Sequence, residues 1–517
     1  MLFKHFSTIS FYTALSRISG FARDILIAKY IGAGAISDAF FIALRVPNFF
    51  RRFFAEGAFN SAFIPLFSRK LEVEGKEKAH LFAEQIFAFM FIALLIFSAV
   101  FMLFMPYLIY LIAPGISDDP QIKNLTIDLT RITFPYLMLI SIATIFAAIL
   151  NSISKFSAVA FMPVLFNAAI VFFLVVLGNK FESLVHAMAW GVFAAGVLQV
   201  IWMLYFLQKN KYLLRLKISF LKMNDDIREF LRKVTPAAIG GGVVQINLWI
   251  DLMIASFFTG AVTYLYYADR IAQLPLSIIA TAMGTALLPM LSKKLASGDI
   301  ENANNIHEKG LEIVLLLTIP AAIALIILPF DIMNVLFVRG EFTAADANAS
   351  AYAMAAFAIG LPAFALIKIF SSCFFALKDT KTPVISAVIA MTLNIILNLI
   401  FVFTFPKLDI MPHIGIALAT ALAGWFNALY LAKKLFHKTS FKLSKSFRAR
   451  IIKILFSVSA MALILIFSFM FLKTGLFALM LQIALSMLVY FGCIILFKTF
   501  SLDEIRPYLP RKLGGRV

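Results

Sequence analysis

Continuous apolar runs of about twenty or more residues recur along the whole chain, and they leave it one solvent to fold in. Stretches such as 81–107 and 158–178 match the length needed to cross a hydrocarbon core, about 20 residues as a helix. No water is available there to satisfy backbone polar groups, so only helices and closed barrels can span. A barrel would alternate apolar and polar residues in segments of about ten; these runs do not alternate. Composition agrees: 62% of the 517 residues are hydrophobic and 14% charged, where a soluble domain carries about 25% charged residues. The fold class is therefore an all-α polytopic membrane protein.

Fourteen spans are predicted, near 7–31, 38–66, 81–107, 128–150, 158–178, 184–207, 234–258, 263–291, 310–329, 347–376, 383–405, 413–435, 451–472 and 475–497. The first is read as a retained span, because Arg17, Arg23 and Asp24 interrupt it and no small-residue cleavage site follows. Cys373 and Cys493 fall inside apolar runs and read as small buried residues. Neither they nor the six scattered histidines suggest a disulfide framework or a metal site.

Basic residues set the orientation. With a cytoplasmic amino terminus, 31 of the 46 Lys and Arg fall on the inside and 5 in outside loops. Both termini are then cytoplasmic. The net charge of +19 reads as this topology signal together with attraction to anionic membrane lipid, and not as a nucleic-acid surface.

The chain also repeats. Residues 58–70 read AFNSAFIPLFSRK and residues 282–294 read AMGTALLPMLSKK, 224 positions apart without a gap. Six spans separate the copies, so both have the same orientation, as in a parallel repeat about an axis along the membrane normal. This implies two six-helix lobes related by a pseudo-two-fold. The N-lobe covers 1–208, a basic linker 209–233, the C-lobe 234–436, two further helices 437–498, and a basic tail 499–517.

Charges inside the bilayer cost about 2.5–3.5 kcal/mol each near a helix centre, and the first two spans hold many. Arg17, Arg23 and Asp24 lie in the first, and Asp38, Arg45, Arg51, Arg52 and Glu56 in the second. Asp269 and Arg270 lie in the eighth. At 100° per residue Asp38, Arg45, Arg52 and Glu56 share one stripe within about 40°, with Arg52 and Glu56 an i,i+4 pair. That stripe fits an ion network between helices as well as a wet cavity. Arg51 falls off it, and Arg23 falls off the face shared by Arg17 and Asp24. Arginines outnumber acids here, and the surplus suits an anion; the planar guanidinium fits a phosphate or diphosphate. Gly20, the 32–34 stretch, Pro47 and Gly57 mark kinks or bending points in the same region. Asp251, with Asn394 and Asn398 at i,i+4, forms a second polar group, read either as hydrogen bonding between helices or as oxygen ligands for sodium. No nucleophile–base set or phosphate-binding loop suggests an enzyme.

The segments SRISGFARD, GAGAISDAFFIALRVPNFFRRFFAEGAFNSAFIP, YYADRIAQLP and GTALLP resemble the MurJ (MviN) family of lipid II flippases. That family belongs to the multidrug/oligosaccharidyl-lipid/polysaccharide exporter superfamily. The resemblance implies a non-enzymatic transporter of the bacterial inner membrane. Its substrate would be the undecaprenyl-diphosphate-linked peptidoglycan precursor, flipped outward by alternating access without a cofactor. It also implies cell-wall synthesis proteins as partners. Arg17, Arg23, Arg51 and Arg270 match the family's essential cavity arginines, and Asp24, Asp38, Glu56 and Asp269 the accompanying acids. Gln273 stands where many relatives carry an acid. Three other readings remain at this stage: a cation-coupled multidrug antiporter of the same superfamily, a flippase for another lipid-linked saccharide, and a non-transporting scaffold for wall synthesis.

Overall fold

The computed structural model describes residues 2–54, 57–216, 224–439, 441–472 and 475–499. Among them the chain is helical, its only β feature being the isolated bridge between Arg339 and Phe342. The first helices are α1 (Leu2–Ile31), α2 (Ala35–Phe54), α3 (Ala58–Val73), α4 (Lys76–Leu103), α5 (Met105–Ile112), α6 (Pro120–Thr133), α7 (Tyr136–Ser152), α8 (Phe156–Val175) and α9 (Leu184–Lys209). There follow α10 (Asp225–Ala255), α11 (Ala261–Ala296), α12 (Ile300–Ile327), α13 (Pro329–Phe337), α14 (Ala344–Ala376), α15 (Lys381–Thr404), α16 (Pro412–Lys438), α17 (Lys445–Ser468) and α18 (Leu476–Leu496). Ten helical stretches among the described residues are long and apolar enough to cross a membrane.

Three spans differ from their sequence outline. The second is not one helix: α2 ends at Phe54 and α3 starts at Ala58, with Gly57 at φ +53°, a conformation glycine adopts without steric cost. Arg51 and Arg52 therefore occupy the last turn of a half-length helix and not the middle of a long one. The third breaks at Phe104, and the short α5 completes it. The fourth begins earlier, at Pro120, and is divided at Pro135. Pro47, in contrast, sits inside α2. It cannot donate to the Ala43 carbonyl, and Thr133 Oγ1 supplies the missing donor at 2.7 Å.

The chain divides into two compact units, residues 1–263 with 337–343, and residues 264–336 with 344–517. In the first, α10 packs on α2 and α3. The boundary at 263 differs from the one expected in the basic linker at 209–233. Stacked and edge-on phenylalanines fill this unit. Phe59, Phe63, Phe67 and Phe82 are all buried, and Phe50 meets Phe97, Phe101 and Phe134 at 5.1–6.0 Å. The second unit's core joins α11, α12, α14 and α16 through Leu287, Leu311, Ile369, Phe374 and Leu431.

The turn after α13 folds onto the end of α1, where Glu341 N–H donates to the Lys29 carbonyl at 2.9 Å. Gly340 has φ +58°, and a Cβ there would lie 2.2 Å from the Lys29 carbonyl oxygen. Gly340→Ala should therefore cost about 1–3 kcal/mol from the backbone conformation alone. The measurement is the melting temperature of the purified protein in detergent; a variant melting with the parent would mean the turn is not held in this geometry.

Candidate functional site

The charged residues of α1 and α2 fall into two groups that helical phase alone does not separate. Arg23 and Asp24 are both buried and bonded to each other: Nε and Nη2 of Arg23 donate to Asp24 Oδ1 at 3.0 and 2.6 Å. Nη1 of Arg23 donates to Asn167 Oδ1 of α8 at 3.0 Å. Asn167 in turn donates to the Ser16 carbonyl and Ser19 Oγ at 3.2 and 3.0 Å, and the guanidinium lies 5.7 Å from the Phe166 ring centroid. Arg23 starts off the face shared by Arg17 and Asp24, and its side chain nevertheless reaches Asp24. Phase tracks the Cα–Cβ direction, and the long arginine stem bends its head group across the 100° to its neighbour. This pair holds α1 against α8.

Asp38 is likewise buried, and the charge of Arg45 on the same stripe attracts it. Its carboxylate accepts from Gly260 N–H at 2.6 Å, Thr263 N–H at 2.8 Å and Thr263 Oγ1 at 2.6 Å. It thereby caps the otherwise unsatisfied amides where α11 begins.

Arg17 and Arg52 form the other group. Arg17 stands at the midpoint of the 30-residue α1 and is exposed, as is Arg52 at the end of α2. Neither has a carboxylate partner among the described residues. Arg45 and Arg51 are half-buried, and Glu56, expected to pair with Arg52, lies outside the described residues. Asp24 is thus engaged by Arg23, and Asp38 by backbone amides and the Thr263 hydroxyl. Beyond α2, α3 starts at Gly57 with no side-chain cap among the described residues. The amides of such a helix start favour an anion.

In the second unit, Asp269 and Arg270 of α11 are half-buried. The Gln273 amide donates to Asp269 Oδ2 at 2.5 Å, which supports the neighbouring carboxylate. Asn398 Nδ2 donates to Asn394 Oδ1 at 2.9 Å, and Asn394 Nδ2 to Thr420 Oγ1 at 3.2 Å, which ties α15 to α16. Asp251, in the first unit, accepts from Asn247 Nδ2 at 3.4 Å. No group of three His, Cys, Asp or Glu among the described residues could hold a metal ion.

Sequence reasoning passed over two residues. Asn167 is the partner that orients Arg23, and its signal was a carboxamide in an otherwise apolar run. Lys368 is exposed on α14, eight residues before its end at Ala376, with no carboxylate partner among the described residues. Its Cβ lies 4.0 Å from where a side chain at Gly284 of α11 would begin, and Ser372 Oγ one turn on donates to the Gly284 carbonyl at 3.3 Å. Its signal was a basic residue inside a span that topology counting set aside.

Comparison with known proteins places these features in a family. The family profile described as "Lipid II flippase MurJ" matches residues 27–486. A protein of Rhizobium tropici named "Probable lipid II flippase MurJ" is 38% identical over 99% of this chain and 97% of its own length. The "Lipid II flippase MurJ" of Burkholderia cenocepacia is 34% identical over 83% of each. A solved structure described as "Lipid II flippase MurJ, inward closed conformation" superposes with a TM-score of 0.79 at 30% identity, covering 96% of this chain and 99% of that one. An inward-facing MATE-family multidrug resistance transporter of the MOP superfamily shares the fold, with a TM-score of 0.66 at 14% identity over 81% and 94% of the two chains. The chain is therefore a multi-pass membrane protein of the lipid II flippase MurJ family.

Proposed function

We propose that this protein flips lipid II, the undecaprenyl-diphosphate-linked peptidoglycan precursor, from the inner to the outer leaflet of a bacterial cytoplasmic membrane, with both termini in the cytoplasm. One observation carries the site assignment: exposed arginines stand at mid-helix in α1 and at the α2 break with no described carboxylate to neutralise them. Guanidinium groups at that depth are tolerated only beside water or an anion. The diphosphate supplies the anion, and the prenyl tail stays in lipid. Arg17, Arg51 and Arg52 of the first unit are the proposed diphosphate ligands, with Arg270 of the second unit carried over from the family resemblance, while the buried Arg23–Asp24 pair shapes α1. Access alternates as the two repeats rock about the bound head group. Sodium coupling through Asp251, Asn394 and Asn398 is not proposed: Asn394 is engaged with Thr420 of α16, and Asn398 with Asn394 within α15.

Lys368 extends the site in the C-terminal half. Gly284, beside it, lies 14 residues along α11 from Arg270, about 21 Å at 1.5 Å per residue. A second cation toward the cytoplasmic end suits a first contact for the entering diphosphate. The test is a bacterium depleted of its own flippase and supplied with this chain, scored by the arrival of lipid II on the outer leaflet. The parent chain should restore delivery. Lys368→Ala should lower it about tenfold at unchanged membrane level, equivalent to about 1.4 kcal/mol. A parent chain present at normal level that delivers nothing would refute the function. Full delivery by the variant would remove Lys368 from the site.

A further inference from the structure

At one end of the second unit, α14, α15 and α16 line a recess of about 310 Å³ that contains none of the proposed diphosphate ligands. Phe374 and Thr382 line it together with Lys433, Lys434, His437 and Lys438. Phe374 is buried in the core beneath the recess, while the four basic side chains on the last turns of α16 are exposed around it, the lysines offering their methylene stems as its apolar surface. The described acid nearest this cluster is already engaged. Asp379 accepts from Lys438 Nζ at 2.6 Å and from Thr382 N–H and Oγ1 at 3.0 and 2.7 Å. Lys438 holds that carboxyl well below the ordinary carboxylate range, so it stays charged and paired. Lys434 Nζ lies 5.5 Å from the Tyr430 ring centroid. Lys433 and His437 have no hydrogen-bond or ion-pair partner among the described residues.

Basic residues at the end of a helix often answer only to its dipole or to the topology rule. Those roles require no cavity. Here the cations surround a recess between three helices, and their charged heads and apolar stems are the mixture that suits a ligand with a phosphate next to hydrocarbon. The place agrees. The recess lies where α14 ends at Ala376, α15 begins at Lys381 and α16 ends at Lys438. The charge pattern assigns that end to the cytoplasmic side, at the level of the lipid head groups. Basic pockets between spanning helices on this side recognise anionic head groups.

We propose that this recess binds the phosphate-bearing head group of an anionic phospholipid of the cytoplasmic leaflet. Lys433, Lys434 and His437 face the phosphate, and the glycerol and first chain carbons lie along the lysine stems. The bound lipid bridges α14, α15 and α16 and steadies that end of the unit. It is distinct from the flipped substrate, and the inference does not depend on what the protein transports.

The test uses the full chain in detergent, titrated with phosphatidylglycerol, with phosphatidylcholine, or with inorganic phosphate alone. Retained lipid is counted by native mass spectrometry, and the melting temperature is followed in parallel. Phosphatidylglycerol should be retained by the parent and raise its melting temperature by several degrees, while phosphatidylcholine should do neither. The variant Lys433→Gln/Lys434→Gln/His437→Gln keeps the Lys438–Asp379 pair and should bind phosphatidylglycerol at least fivefold more weakly. Lys434→Gln alone, which leaves most of the charge in place, should lie between the two and serves if the triple variant does not fold. Equal retention of phosphatidylglycerol by the parent and by either folded variant would overturn the proposal. So would equal retention of phosphatidylcholine by the parent, or a full thermal shift produced by inorganic phosphate alone, which would make this an ion site.

Discussion

Replacing Arg17 with alanine is expected to stop delivery of lipid II while leaving the amount of protein in the membrane unchanged, whereas replacing Arg23 is expected to reduce the protein itself. The two arginines are six residues apart on α1, and their surroundings differ. Arg17 is exposed with no described carboxylate partner, so truncating it removes a ligand for the substrate's phosphates and little packing. A charge-assisted hydrogen bond contributes about 1.5–3 kcal/mol, which is tenfold to a hundredfold in delivery. Arg23→Ala leaves Asp24, which is completely buried, without its guanidinium. Removing one partner of a buried pair costs about 3–5 kcal/mol. Quantitative blotting of membranes and the melting temperature of purified variants separate the two effects. The double variant Arg23→Gln/Asp24→Asn, with no buried charge left, should recover much of the protein level. If Arg17→Ala delivers normally, that residue is not a substrate ligand; if Arg23→Ala folds as well as the parent, the buried pair is not structural.

A similar loss of stability is expected for Asp38→Ala. The Asp38 carboxylate accepts three hydrogen bonds from Gly260 and Thr263. Without it, two amides at the start of α11 would be buried with no acceptor, at about 1–3 kcal/mol each. The combined effect should be about 3–5 kcal/mol, since such contributions do not add fully. Asp38→Asn keeps one acceptor oxygen and should lose roughly half as much. Thermal unfolding in detergent measures both, and an Asp38→Ala variant that melts with the parent would show that the turn at 256–263 does not rely on this cap. The acid matched to the family pattern therefore acts as an anchor.

The sequence by itself determined the class of fold, the approximate place of most spans and the region where charge is concentrated. Each depends on local properties: twenty apolar residues match a bilayer, and a guanidinium in such a run signals water or an anion wherever the helix packs. The motifs of the first two spans were also sufficient to suggest the family that the comparisons establish. Tertiary structure alone decided what each charge does. Asn167 lies 144 positions from the Arg23 it orients, Thr133 lies 90 from the Ala43 carbonyl freed by Pro47, and Gly260 lies 222 from the Asp38 it bonds. Helical period specifies the face on which a residue starts, but not which helix approaches that face or how far a long side chain bends. The break between α2 and α3 is half visible in the sequence, since Gly57 offers a bending point while the predicted span 38–66 runs through it. Lys368 was hidden for the opposite reason: counted as one more charge in a span, it became a candidate only once α14 was seen to present it beside Gly284, exposed and without a described acid to neutralise it. Burial and partner identity arise from contacts between distant parts of the chain, and these distinguish an arginine that holds helices together from one available to hold a phosphate.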